Sequence, residues 1–248
     1  MIDHRLSRVA ESFWGRVGDP APFPRTLDDV LPYVLPLSLT PMPGPRLSDV
    51  AEWAKRQGFP FRVCGPDRRL HGCLVAFRGQ GWILYDSDDP ENERRFTLAH
   101  ETAHFLLDYL DVRERAVTRL GEGIRDVLDG ARSPTNAERI DAVLGRTVIG
   151  AHTHLMERRA DGAFGCAAIS GAESQADLLA LELLAPEHEI HRRSPLDRAA
   201  SSVEENIARV IDLLSGDFGL PRAVAERHGR TLGRARYGGR SARERLGF

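Results

Sequence analysis

Apolar residues recur at helical spacing along most of this chain and alternate in a few short stretches. Residues 1–18 read as an amphipathic helix carrying Phe13 and Trp14. Residues 47–57 read as another, with Val50, Trp53 and Ala54 on one face, Ser48 as its cap and Gly58 as its stop. Three strands are expected at 60–64, 72–78 and 82–87, the last two joined by a hairpin at Gly79-Gln80-Gly81. A long helical pattern then carries Phe96, Ala99, Ala103, Leu106 and Leu110 on one stripe. Charged helices follow over 111–146, with a capping box from Thr135 to Glu138 ahead of Ile140, Val143 and Leu144. Residues 147–157 alternate like a strand and lead through a turn at 160–163 into a second strand near 164–169. Residues 170–184 form a helix closed by Ala185-Pro186, and two more helices meet around 216–220. The proline-rich stretches 19–24 and 36–45 read as irregular, the second as a linker or surface loop.

This order predicts an α+β fold: a small antiparallel sheet packed on one central helix, with a mostly helical remainder. It divides into an N-terminal helical and proline-rich segment (1–45), a main domain (46–200) and a helix-turn-helix-like segment (201–248). Composition adds little constraint. Hydrophobic residues are 42%, charged residues 28% and net charge −2, ordinary values for a globular protein with no global pull toward nucleic acid or anionic membrane. No secretory leader and no bilayer-length apolar run are visible. Cys64, Cys73 and Cys166 form no C-x-x-C pair. A reducing, cytoplasmic setting without membrane attachment is the expectation.

The chemistry is concentrated in the long helical pattern, which contains His100-Glu101-Thr102-Ala103-His104. Positions i and i+4 share a helix face, so both imidazoles can address one metal ion. Glu101, one residue round, stands beside that ion, where a general base for a solvent nucleophile belongs. Two core histidines are the plainer alternative, but paired imidazoles in apolar surroundings need partners for both ring nitrogens, and a metal answers that need better than packing. A zinc-binding helix backed by a small sheet is a zincin-like arrangement. Catalytic zinc usually takes a third protein ligand. Leu107 and Leu110 occupy the positions where an extended motif would place glycine and histidine, so the third ligand comes from elsewhere. Glu173 is the best candidate, with Asp177 one turn on to orient a ligating imidazole. Glu173 also fits a capping box opened by Ser170, and His152, His154, Glu157 and His188 are rivals.

The run Phe96-Thr97-Leu98-Ala99-His100-Glu101-x-x-His104, followed by Glu173-x-x-Ala176-Asp177-x-x-Ala180-x-x-Leu183-Leu184-x-Pro186, resembles the ImmA/IrrE metallopeptidases. The hairpin before the motif and Phe218-Gly219-Leu220-Pro221 after it are similar too. The likeness runs from about residue 47 to residue 235. It implies an intracellular zinc endopeptidase, with His100, His104 and Glu173 holding Zn2+, Glu101 as general base, and a helix-turn-helix repressor, cleaved in a stress or mobile-element response, as protein substrate. His104 and Glu173 lie 69 positions apart, longer than the resemblance leads one to expect, so 111–170 reads as an insertion. His152 and His154, on one face of the inserted strand, are candidates to stabilise an oxyanion or contact substrate.

A DNA-binding or antitoxin-like regulator with a non-catalytic metal is the competing class. Residues 206–248 hold nine Arg against four acidic residues. Lys55 is the only lysine, however, so the arginine bias belongs to the whole chain rather than to a DNA-facing patch.

Overall fold

The computed structural model describes residues 4–18, 22–59, 65–145, 147, 149–158, 171–194 and 202–237. It is an α+β protein with one mixed four-stranded sheet among the described residues. The chain divides into two compact units, 26–180 and 1–25 with 181–248.

The unit 26–180 contains, in order, α2 (Leu31–Val34), β1 (Leu37–Met42), α3 (Leu47–Arg56), β2 (Leu70–Phe77), β3 (Gln80–Asp86) and α4 (Glu91–His104). A π-helical turn, Phe105–Leu110, continues α4 directly into α5 (Asp111–Leu120). Then come α6 (Arg125–Leu128), α7 (Asn136–Leu144), β4 (His152–Glu157) and the start of α8 (Gly171–Leu184). The sheet order is β1-β3-β2-β4. β2 runs antiparallel to both β3 and β4, but β1 runs parallel to β3, which corrects the expectation of a purely antiparallel sheet.

β1 also corrects the reading of 36–45 as a linker. Pro41 lies inside this strand; β1 is a sheet edge, where a missing N–H need not break a ladder. The strand expected at 60–64 and the second hairpin strand at 164–169 lie outside the described residues. The hairpin between β2 and β3 is tighter than expected. Phe77 pairs with Gln80, so Arg78 (φ 52°) and Gly79 (φ 80°) make the turn. Gly81 is needed for packing instead, since a Cβ there would sit 2.7 Å from the Phe105 ring and 2.5 Å from Leu37.

Strand alternation gives the sheet two faces. Cys73, Val75 and Leu84 pack with Val50, Trp53 and Ala54 of α3, which is capped by Arg46 and Asp49 rather than Ser48. The opposite face meets α4. A Cβ on Gly72 would lie 2.5 Å from Thr97 Cγ2 and 3.6 Å from Glu101 Cγ, so Gly72 admits the helix against the strand. Every residue from Arg95 to His104 is buried. The apolar stripe read from sequence describes only the back of a helix enclosed on all sides. Within 111–150, Ala116, Val117, Ile124, Val127 and Leu128 form a small core of their own, and α7 carries the expected capping box. β4 is nevertheless the fourth strand of the main sheet.

The other unit holds α1 (His4–Val17), the end of α8, α9 (Glu187–Arg193), α10 (Val203–Gly216) and α11 (Arg222–Tyr237). Trp14 Nε1 and Arg25 both donate to Leu183 O, at 3.0 and 2.9 Å. Cβ atoms on Gly229 and Gly233 would strike Ile211 and Ile207 respectively, at 2.6 and 2.3 Å. Contacts stepping in opposite directions over a full turn of each helix describe an antiparallel αα-hairpin, unlike the steep crossing of a DNA-reading helix-turn-helix. No helix of the described residues is long and apolar enough to cross a membrane.

Candidate metal centre

α4 brings His100, Glu101 and His104 to the sheet at the level of Gly72. The register of β4 adds a third imidazole. Leu74 pairs with His154, and Leu155 belongs to the core on the α3 side, so His154 points to the α4 face. α8 supplies Glu173 and Asp177. His100, His104, His154 and Glu173 each place a ligand atom within 4.8 Å of the others.

The arrangement repeats itself three times. His100 Nδ1 is 3.1 Å from Asp177, His104 Nδ1 is 2.6 Å from Asp108, and His154 Nδ1 is 2.9 Å from Glu101 Oε2. Each Nε2 turns instead toward the Glu173 carboxylate, at 3.5, 3.7 and 2.9 Å. Asp108 and Glu101 fix the His104 and His154 rings through Nδ1, Asp177 stands close to His100 Nδ1, and Nε2 is left in each as the ligating atom. The Nε2 atoms of His100 and His104 stand 3.1 Å apart. Two lone pairs at that distance repel unless a cation or a shared proton lies between them.

Charge follows the same geometry. The imidazoles of His100, His104 and His154 hold Glu173 far below the usual carboxylate range. Burial works against a charged His154, yet Glu101 and Glu173 push it up to about 10. Burial likewise opposes a charged His100, outweighed by Asp177 and Glu173. Glu101 is fully buried; desolvation favours its neutral form, but His154 and the two motif histidines lower its pKa. Its Oε1 has no hydrogen-bond partner among the described residues. A buried, unsatisfied carboxylate oxygen costs about 1–3 kcal/mol or more, so this site holds a group aimed at something the described residues do not provide.

The structure brings together His100, Glu101, His104, Glu173, Asp177 and His154 and leaves the other candidates out. His152 is largely buried near the Tyr109 ring, where burial lowers its pKa. Glu157 is half exposed and pairs with Arg68, and His188 is exposed beside Glu189. Ser170, the rival cap for Glu173, lies outside the described residues. Asp108 was not anticipated. Its signal was an acid four residues beyond the second motif histidine, the spacing that puts two side chains on one helix face.

Residues 67–125 match the family model of the IrrE N-terminal-like domain, Peptidase_M78. The match supports assigning the chain to the ImmA/IrrE family. It spans β2, β3, α4 and α5, and so includes the His-Glu-x-x-His helix and the strand behind it. The family's name points to a metallopeptidase. No curated protein and no solved structure matches the chain.

Proposed function

We propose that this chain is a zinc-dependent endopeptidase acting inside the cell on a protein substrate of the helix-turn-helix repressor class. The observation that carries the reading is Glu101: a wholly buried carboxylate, one oxygen on His154 and the other without a partner among the described residues, beside two converging imidazoles. A structural metal site has no use for such a group. A hydrolase needs it.

In this reading His100, His104 and Glu173 hold the metal, and Asp177 and Asp108 orient the two helical imidazoles. Zinc there would supply Lewis acidity and bring the pKa of water toward neutrality. Glu101 Oε1 takes the proton from the attacking water and returns it to the departing amine. Burial keeps that carboxylate out of bulk solvent, and the neighbouring imidazoles keep it ionised and ready to accept. The substrate class rests on the family resemblance. The antiparallel packing of α10 on α11, and the pairing of Arg222 with Asp212 and Glu226, count against DNA as the partner.

Co-expression with helix-turn-helix regulators encoded nearby tests the proposal. Zinc-dependent cleavage of one of them is expected, and Glu101→Gln should bind zinc normally while cutting on the order of 10³-fold more slowly. Undiminished cleavage by the Glu101→Gln chain would remove Glu101 from the mechanism.

A further inference from the structure

We infer that His154 is a displaceable fourth metal ligand, which closes the site in the resting molecule and must leave before substrate can bind. The inference rests on the metallopeptidase reading above and concerns how that same site is restrained.

The geometry is that of a cage with four corners. Zinc bonded at about 2.0–2.1 Å to four tetrahedral ligands separates those ligands by about 3.3 Å. The observed separations among the Nε2 atoms and the Glu173 carboxylate are 3.1 Å for His100 to His104, 3.5 Å for His100 to Oε2, and 3.7 and 2.9 Å for His104 and His154 to Oε1. His154 therefore stands at ligand distance from the carboxylate, within the same 4.8 Å cluster as the two helical imidazoles. Its ring stacks on His104 with centroids 3.6 Å apart. A catalytic zinc site keeps one position for solvent or substrate, and here an imidazole stands in it.

His154 also engages the base. Nδ1 donates to Glu101 Oε2 while Nε2 faces the cage. One side chain thus occupies the position a substrate carbonyl needs and holds the carboxylate that must receive a proton. Release is feasible because of where His154 sits. α4 is enclosed on every side, but β4 pairs only with β2 among the described residues. Moving β4 breaks one ladder and strains the Arg158 bridge at its end, whereas moving the motif helix would break the core.

X-ray absorption on the zinc-loaded, full-length chain reads the coordination directly. Three imidazoles and one carboxylate, with no solvent oxygen, are expected. In His154→Ala and His154→Gln, two imidazoles and a solvent oxygen should remain. Acetohydroxamate, followed by the visible spectrum of the cobalt-substituted protein, should bind either variant at least tenfold more tightly than the unmodified chain. Two imidazoles plus solvent in the unmodified chain, or equal hydroxamate affinity in all three proteins, would overturn the inference while leaving the hydrolase reading intact. Absence of zinc from His100 and His104 would overturn both.

Discussion

Two clusters of histidine and carboxylate lie in the same unit, and they are built on opposite principles. One gathers His100, His104, His154 and Glu173; the other gathers His71, Asp89 and Glu93. In the second, Arg158 reaches in from the end of β4 and bonds both Asp86 and Asp89, while Asp89 accepts from His71 Nδ1 at 2.7 Å. Asp86 also receives the backbone N–H groups of Gly44 and Asp88, both at 2.9 Å. Desolvation alone would raise the Asp89 pKa, but His71 and Arg158 bring it below the usual range. That cluster carries its own cation and ties β2, β3, α4 and β4 at one end of the sheet. Among the described residues, the first has no arginine or lysine pairing with its ligand atoms, and its imidazoles crowd one carboxylate. Composition alone does not separate the two; an arginine closes the second cluster, whereas only imidazoles close on Glu173 in the first.

Removing Arg158 tests that contrast most severely. Asp86 and Asp89 are 4% and 3% exposed, so Arg158→Ala strands buried charge and should cost about 3–5 kcal/mol. The Arg158 side chain is 23% exposed, which favours the lower end through solvent screening. Urea unfolding measures it. If the contrast is sound, millimolar Mn2+ or Ca2+ should restore part of the loss in Arg158→Ala and do nothing for the unmodified chain. Stability unchanged in Arg158→Ala would show that the second cluster needs no cation, and the comparison would fail.

A buried histidine outside both clusters sharpens the point. His228, on α11 in the other unit, is 5% exposed and its Nε2 has no hydrogen-bond partner among the described residues. Burial lowers its pKa from 6.5 to about 4, with Glu187 opposing and Arg227 reinforcing the shift. The unfolded chain therefore binds this proton more readily than the folded one. The resulting stability is fully present above about pH 6.5 and is lost as pH falls through about 4, by on the order of 3 kcal/mol. His228→Leu should flatten that part of the pH–stability curve. An equally steep acid limb in His228→Leu would place the sensitivity elsewhere.

The helical parts of this picture were legible in the sequence and the long-range parts were not. His100, Glu101 and His104 are placed by a period of 3.6 within one element, and Asp177 stands one turn from Glu173 for the same reason. That α8 would carry its carboxylate to α4 could not be read from spacing, and needed the resemblance. His154 was visible as an alternating strand residue, but its role depends on the pairing of Leu74 with His154, which no local pattern encodes. β1 was hidden because Pro41 and Pro43 signal a break, while a parallel edge strand tolerates proline. The link from Arg158 to Asp86 and Asp89 joins residues about 70 positions apart through a bulge in β2 between Leu70 and Gly72. The bulge places His71 and Gly72 side by side, each committed to a different cluster.

That adjacency supplies the mildest and most selective test. Gly72→Ala puts a methyl 2.5 Å from Thr97 Cγ2 and 3.3 Å from Leu84 O, so α4 must shift away from β2 just beneath Glu101. Overpacking of this kind costs about 1–3 kcal/mol, and Thr97, a short β-branched side chain in a buried helix, has little room to rotate away. His71 and Asp89 need not move, because the new methyl faces Thr97 and Glu101. A small displacement of Glu101 matters far more to proton transfer than to folding, since reacting groups tolerate about half an ångström of misplacement. Gly72→Ala should therefore lose on the order of tenfold or more in kcat with little change in KM, for a modest drop in Tm. Thr97→Ala in the same chain should restore most of the rate by removing the methyl that clashes. If the double variant is no faster than Gly72→Ala alone, the approach of helix to strand at Gly72 does not set the position of Glu101.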